Sequence, residues 1–125
     1  MVKIIGAKWK KILLFIGLSI SLIGTSIVQM NSFEKEANLI KLSSQTEKTI
    51  VFYRDDCPKC HSVFPLLYYH NLVHRDLIFV NMNQPLNRRY IQMYNLKSVP
   101  TIVRKGNQYS GSNKEKLRQF LDRNF

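Results

Sequence analysis

The chain has 125 residues, which is enough for one small domain, and it carries a formal net charge of +11. Four of its 19 basic residues precede an apolar N-terminal segment, which leaves 15 basic against 8 acidic residues, or a net charge of +7, in the remainder. An exported remainder would not meet nucleic acid, so its positive charge favours a solvated basic surface.

The first 30 residues have the pattern of a signal anchor or a signal peptide. Lysines at positions 3, 8, 10 and 11 precede an apolar run from Ile12 to Met30, and the first acidic residue is Glu34. The run is close to the roughly 20 residues that span a bilayer, which favours an anchor. Gly24-Thr25-Ser26 also offers a cleavage site after Ser26, which would release a secreted form.

The early lysines place the N-terminus on the cytoplasmic side of the membrane. We therefore expect a single-pass protein of the cell membrane whose C-terminal domain is extracytoplasmic. That compartment is oxidising, so an exported pair of cysteines can form a disulfide there.

Beyond the apolar segment, residues 31–47 are predicted to be a tether and residues 48–125 a folded domain. Thr49–Tyr53 is a short apolar run typical of a buried strand. A helix follows Cys57, because Pro58 suits a first-turn position. A second buried strand covers residues 77–80.

A second helix is expected where Leu86, Tyr90, Met93 and Tyr94 recur at helical spacing. Residues 101–103 and 108–109 then flank Lys105-Gly106-Asn107, which indicates a hairpin. Ser112 and Glu115 form a capping box for a last amphipathic helix. The order β-α-β-α-β-β-α predicts an α/β fold with a mixed four-stranded sheet and flanking helices, behind the N-terminal hydrophobic helix.

The two cysteines of the chain, Cys57 and Cys60, lie in the sequence D-D-C-P-K-C-H, where His61 follows directly. Three kinds of site use this spacing: a redox-active pair, covalent haem attachment through C-x-x-C-H, and a zinc site. For haem, Met82 or Met93 would supply a second axial ligand. The strands on both sides of the motif leave no helical pocket for a porphyrin, which argues against haem.

A zinc site would need His70 and His74 as its remaining ligands. If one helix runs from Cys57 past His70, its rise of about 1.5 Å per residue puts these residues roughly 20 Å apart. The four side chains could not then share one ion, which argues against zinc.

A redox-active pair explains the local pattern best. A strand delivers Cys57 to the first turn of a helix, where free backbone N–H groups and the helix dipole favour a thiolate. Cys60 lies one turn further on, close enough to form a disulfide with Cys57. The positive charges of Lys59 and His61 also favour the thiolate, whereas Asp55 and Asp56 oppose it, and the sequence does not decide the balance.

Over roughly residues 48–125 the chain resembles the thioredoxin-like superfamily, in a version shortened at its N-terminus. The resemblance depends on C-P-K-C after a strand, on a proline eight residues after the first cysteine (Pro65), and on V-P-T at residues 99–101 before another strand. The ending, residues 112–125, is also similar to the last thioredoxin helix.

The resemblance implies that Cys57 is the nucleophile, that Cys60 resolves the mixed disulfide, and that Pro100 is cis. The other implied roles are active-site support by Pro58, Lys59 and Pro100, and substrate binding by Val99, through its backbone, and by Thr101. No metal or organic cofactor is required beyond the redox-active cysteine pair.

Two departures from the thioredoxin branch stand out. Its buried aspartate, six residues before the first cysteine, is replaced by Val51, and the W-C-G-P-C signature is absent. The site sequence F-Y-R-D-D-C-P-K-C instead resembles the membrane-anchored bacteriocin-accessory thiol–disulfide oxidoreductases of Gram-positive bacteria.

The sequence therefore predicts an extracytoplasmic enzyme that exchanges disulfides with exported cysteine-containing peptides or proteins, a bacteriocin among them. Its expected partners are that substrate, a membrane redox partner, and the membrane itself through residues 12–30. The alternative is a thioredoxin-like binding or secretion-accessory module without essential redox activity. A Cys57→Ser variant separates the two, because only the enzyme would lose function.

Overall fold

A computed structural model describes residues 6–123. Lys3 of the N-terminal basic cluster and the last two residues of the predicted final helix lie outside the described residues. The chain divides into two compact units, one up to Phe33 and one from Glu34 onward.

The first unit consists of most of a long apolar helix, α1 (Ala7–Lys35). Its mean hydropathy reaches 2.1, and side chains such as Leu14, Phe15 and Leu22 are about 70% exposed. The helix is long and apolar enough to cross a membrane. It is consistent with a membrane anchor or with a signal sequence.

A four-stranded mixed sheet forms the centre of the second unit. Its strands are β1 (Thr49–Tyr53), β2 (Leu77–Asn81), β3 (Thr101–Arg104) and β4 (Asn107–Ser110). The spatial order is β2-β1-β3-β4; β1 and β2 are parallel, and β3 is antiparallel to both β1 and β4. The structure thus confirms the predicted α/β fold.

Helices join and flank these strands. They are α2 (Pro58–His74), a 3-10 helix (Pro85–Arg89) that leads directly into α3 (Tyr90–Met93), and α4 (Lys114–Asp122). Helix α2 makes the crossover between the parallel strands, and its buried face includes Val63, Phe64 and Leu67.

Two helix details differ from the sequence prediction. The predicted second helix is α-helical only over Tyr90–Met93, because its first part, Pro85–Arg89, is a 3-10 helix. The N-cap of α4 is Asn113 rather than Ser112: the Asn113 Oδ1 accepts a hydrogen bond from the Lys116 N–H at 3.0 Å.

Strand β1 positions the two loops that matter most for function. All five of its residues are buried, as expected for a strand with neighbours on both sides. Phe52 pairs with Thr101 across the antiparallel β1–β3 ladder, so the end of β1 lies beside the start of β3. The loop that follows β1 and the loop that precedes β3 therefore meet at one edge of the sheet.

Asn87 binds the segment around Ile40, which belongs to the predicted tether, to the edge of the domain. The buried Asn87 side chain accepts from the Ile40 N–H at 3.0 Å and donates to the carbonyls of Asn38 and Asn81 at 2.8 and 3.0 Å. Close by, the Leu42 N–H donates to the Tyr90 hydroxyl at 2.9 Å. The Asn87 and Tyr90 side chains thus form hydrogen bonds with backbone groups that an additional neighbouring strand would otherwise have to pair.

We predict that Asn87→Ala lowers the free energy of unfolding by about 2–4 kcal/mol, because one buried and two part-buried hydrogen bonds to backbone groups are lost. Urea unfolding of the full-length chain in detergent, followed by tyrosine near-UV circular dichroism, measures the change. Asn38→Ala is the matched control: among the described residues its exposed side chain hydrogen-bonds only to the Glu36 side chain, so the effect should stay within about 0.5 kcal/mol. Equal effects of the two changes would contradict the role given to Asn87.

Candidate active site

The two cysteines occupy the start and the first turn of helix α2. Cys57 is the N-cap residue, with an extended backbone (φ −99°, ψ 118°), and its Sγ accepts a hydrogen bond from the Cys60 N–H at 3.3 Å. Both residues are free thiols; Cys57 is half-buried and Cys60 is buried. Cys57 is therefore the thiol that an incoming molecule can reach.

Cys60 is held as a protonated thiol. Burial is the main cause that raises its pKa, to about 12, and the hydrogen bond and the charge of Cys57 and the charge of Glu34 act in the same direction. A hydrogen bond involving the Arg54 backbone opposes the shift without reversing it. At neutral pH Cys60 carries its proton, and it must give that proton up before it can attack another sulfur.

Asn83, in the turn that follows β2, binds the acidic pair that precedes Cys57. The Asn83 side-chain amide donates to the carboxylates of Asp55 and Asp56, and Arg54 forms an ion pair with Asp56 at 3.0 Å. The Asn83 hydrogen bond is the main cause that lowers the pKa of Asp56. Nothing local in the sequence marks Asn83, since it reaches this loop only through the β1–β2 pairing.

Glu34 is a buried carboxylate at the site that the sequence prediction missed. Both of its carboxylate oxygens contact His61 Nδ1, at 2.9 and 3.1 Å, and its carbonyl accepts a hydrogen bond from the Tyr53 hydroxyl at 2.9 Å. The Glu34 side chain is only 5% exposed, whereas His61 is 65% exposed. Val51, which stands where the thioredoxin branch has a buried aspartate, is fully buried and apolar. The buried acidic side chain close to the cysteines is instead Glu34, which lies outside the sheet.

The Val99–Pro100 peptide bond is cis, as the resemblance predicted. Pro100 is buried and Val99 half-buried, directly before β3. The Thr101 hydroxyl is buried and engaged internally, with the Ser98 carbonyl and the Ser110 hydroxyl, each at 2.7 Å. The Thr101 side chain therefore holds the loop in place, and Val99 is the more accessible of the two residues assigned to substrate binding.

The remaining residues singled out from the sequence lie on helix α2. Pro58 and Lys59 are exposed in its first turn, and Pro65 lies in its interior. The rings of His70 and His74 lie against each other at its far end, with centroids 4.3 Å apart. His70 Nε2 is hydrogen-bonded to the Asp76 carboxylate at 3.0 Å. Within residues 6–123, no group of three or more Cys, His, Asp and Glu side chains is placed to hold a metal ion.

No protein-family model and no curated protein sequence matches the chain. Solved structures do. Thioredoxin f2 of Chlamydomonas reinhardtii aligns with a TM-score of 0.52 at 23% identity, covering 65% of this chain and 82% of its own. The fold is thioredoxin-like.

Two further structures agree with this fold. Plasmodium falciparum thioredoxin aligns with a TM-score of 0.51 at 20% identity and covers 63% of this chain and 83% of its own. A glutaredoxin from Archaeoglobus fulgidus gives 0.52 at 19% identity, with coverage of 63% and 89%. In this thioredoxin-like domain the half-buried Cys57 and the Val99–Pro100 loop lie at one sheet edge, where an external disulfide could approach.

We predict that Glu34→Gln lowers the pKa of Cys60, because it removes a negative charge that disfavours the thiolate. In a Cys57→Ser background, the rate of Cys60 alkylation by iodoacetamide should climb with pH up to strongly alkaline values. The Glu34→Gln profile should be displaced toward lower pH.

Glu36→Gln is the matched control for this measurement, because Glu36 is exposed and is not among the charges that act on Cys60. Identical pH profiles for Glu34→Gln and Glu36→Gln would show that the Glu34 charge does not act on Cys60.

Proposed function

We propose that this protein is a thiol–disulfide oxidoreductase, anchored in the cytoplasmic membrane, whose domain lies on the outer side. One observation carries the proposal: a half-buried cysteine begins a helix of a thioredoxin-like fold, and its buried partner follows one turn later. The accessible thiol suits attack on an external disulfide, and the buried one suits release of the product.

The exchange proceeds in two steps. The Cys57 thiolate attacks one sulfur of a substrate disulfide, forms a mixed disulfide, and expels the other substrate sulfur as a thiolate that takes up a proton. Cys60 then loses its proton and attacks the Cys57 sulfur. This releases the second substrate thiol and leaves a Cys57–Cys60 disulfide, so two electrons pass from the protein to the substrate.

The reverse sequence oxidises a substrate dithiol and returns Cys57 and Cys60 to thiols. In either direction a second reaction must restore the cysteine pair, and we assign it to a redox partner in the same membrane. The exchange itself uses the cysteine pair as its only redox group, without metal or organic cofactor.

The proposed substrate is an exported peptide or protein that contains cysteine. Helix α1 carries Lys8, Lys10 and Lys11 in its first turns, before its apolar run, and this supports the placement because basic residues stay on the cytoplasmic side. The similarity of the F-Y-R-D-D-C-P-K-C stretch to bacteriocin-accessory oxidoreductases makes a disulfide-containing bacteriocin a specific candidate substrate.

We predict that Cys57→Ser lowers the rate of exchange with a peptide disulfide by at least about a hundredfold, since the accessible nucleophile is gone. Cys60→Ser should instead accumulate a mixed disulfide with the peptide, visible by intact-protein mass spectrometry. In the reduced wild-type protein, a limiting dose of iodoacetamide should label Cys57 before Cys60. Preferential labelling of Cys60 would reverse the two roles, and full activity of Cys57→Ser would favour a binding module.

We also predict that a membrane-impermeant maleimide labels Cys57 in intact, wall-stripped cells, because the domain faces outward. The matched control is Lys8→Cys in a Cys57→Ser/Cys60→Ser background, which should react only after the membrane is opened. If the control is labelled in intact cells while Cys57 is protected, the proposed orientation is inverted.

A further inference from the structure

A groove with an apolar floor and a basic rim adjoins both loops of the proposed active site. Its volume is about 420 Å³. Arg54 from the cysteine loop borders it, as do Met82 and Arg88 beyond β2 and residues 96–99 before Pro100. A polypeptide whose sulfur reaches Cys57 beside the Pro100 loop would have this groove next to it.

The floor of the groove is apolar. Met82 and Leu96 are buried there, while Val99 is half-buried and Ile91 is 43% exposed. Ile91 is thus an apolar side chain that the fold leaves open to solvent beside the site. An apolar side chain of a bound polypeptide would remove this surface from water, which is favourable.

The rim of the groove carries three cations, two of which lack a carboxylate partner among the described residues. Arg54 is neutralised by Asp56 at 3.0 Å. Arg88 donates from Nε to the Met82 carbonyl at 3.2 Å, which fixes its guanidinium at the rim but leaves its charge uncompensated. Lys97 is exposed and forms no ion pair with a described residue.

The sequence explains why these two charges are not compensated. Residues 77–114 contain six basic residues and no acidic one. Apart from Arg54, every residue that lines the groove comes from this stretch. A groove with walls of one charge sign attracts segments of the opposite sign and repels those of its own sign.

We propose that the groove selects substrates in which acidic side chains and an apolar side chain flank the reacting cysteine. Carboxylates of such a segment would meet Arg88 and Lys97 in charge-assisted hydrogen bonds, and the apolar side chain would cover the floor. The proposal rests on the exchange reaction proposed above and names the class of polypeptide that takes part in it.

Three symmetric peptide disulfides test the selection, each with leucine next to its cysteine and with two flanking residues that are both Glu, both Gln or both Lys. The reduced full-length protein, in an uncharged detergent, is mixed with each peptide, and the second-order rate of its oxidation is measured. Each rate is divided by the rate of the same peptide with dithiothreitol, which carries no charge besides its attacking thiolate and so corrects for the intrinsic reactivity of the peptide sulfur.

We expect the Glu peptide to react about tenfold faster than the Lys peptide at low ionic strength, with the Gln peptide between them. Added salt should narrow the difference, because exposed charges are screened. The double variant Arg88→Gln/Lys97→Gln should lose most of the rate difference between the Glu and Lys peptides, and its rate with neutral iodoacetamide, measured in parallel, corrects for any change in thiol reactivity.

The matched control is Lys114→Gln/Arg118→Gln, which removes the same amount of positive charge from α4, away from the groove. This variant should keep the order of the rates, with the Glu peptide fastest and the Lys peptide slowest. Equal corrected rates for the three peptides would overturn the selection and leave the exchange reaction standing. Equal losses of the rate difference between the peptides in both double variants would also overturn the selection, because the effect would then come from net charge alone. If none of the peptides oxidises the protein, the exchange reaction itself fails.

Discussion

The antiparallel pairing of β1 with β3 is the constraint on which the site depends. Phe52 opposite Thr101 sets the register, and Tyr53 extends β1 by one residue toward the cysteine loop. A slip of one residue would turn the fully buried side chains of β1 to the opposite faces of the sheet. The register that fills the core is therefore the same register that brings the Pro100 loop beside the loop that carries Cys57.

The local features of this fold could be predicted from the sequence because each has a local cause. The apolar run of β1, Pro58 at the start of α2 and the Lys105-Gly106 turn follow from propensity and backbone geometry. In that turn both residues have positive φ, of 47° and 81°, as a two-residue hairpin requires. The spacing of apolar residues from Leu86 to Tyr94 located the second helix, but it did not show that the first part is a 3-10 helix.

The residues that the sequence did not reveal act over long distances along the chain. Glu34 reaches His61 across 27 positions, Asn83 reaches Asp55 across 28, and Asn87 binds Ile40 across 47. Each is a polar side chain that satisfies or orients another segment once the sheet has formed, and periodicity carries no information about such contacts. The cysteine pair was evident from its spacing, whereas its electrostatic surroundings depend on these distant partners.

The electrostatics of Cys60 connect the two steps of the proposed exchange. Cys57 itself contributes to the raised pKa of Cys60, through the hydrogen bond between the side chains and through its charge. The contribution of the charge ends when the Cys57 sulfur enters a mixed disulfide, and the hydrogen bond weakens because a disulfide sulfur is a poorer acceptor than a thiolate. Burial and Glu34 continue to disfavour the thiolate, so Cys60 stays protonated until its partner has reacted and loses its proton more readily afterwards. In this scheme the order of the two attacks is set by the site, because the second thiol becomes easier to ionise only after the first has formed its bond to the substrate.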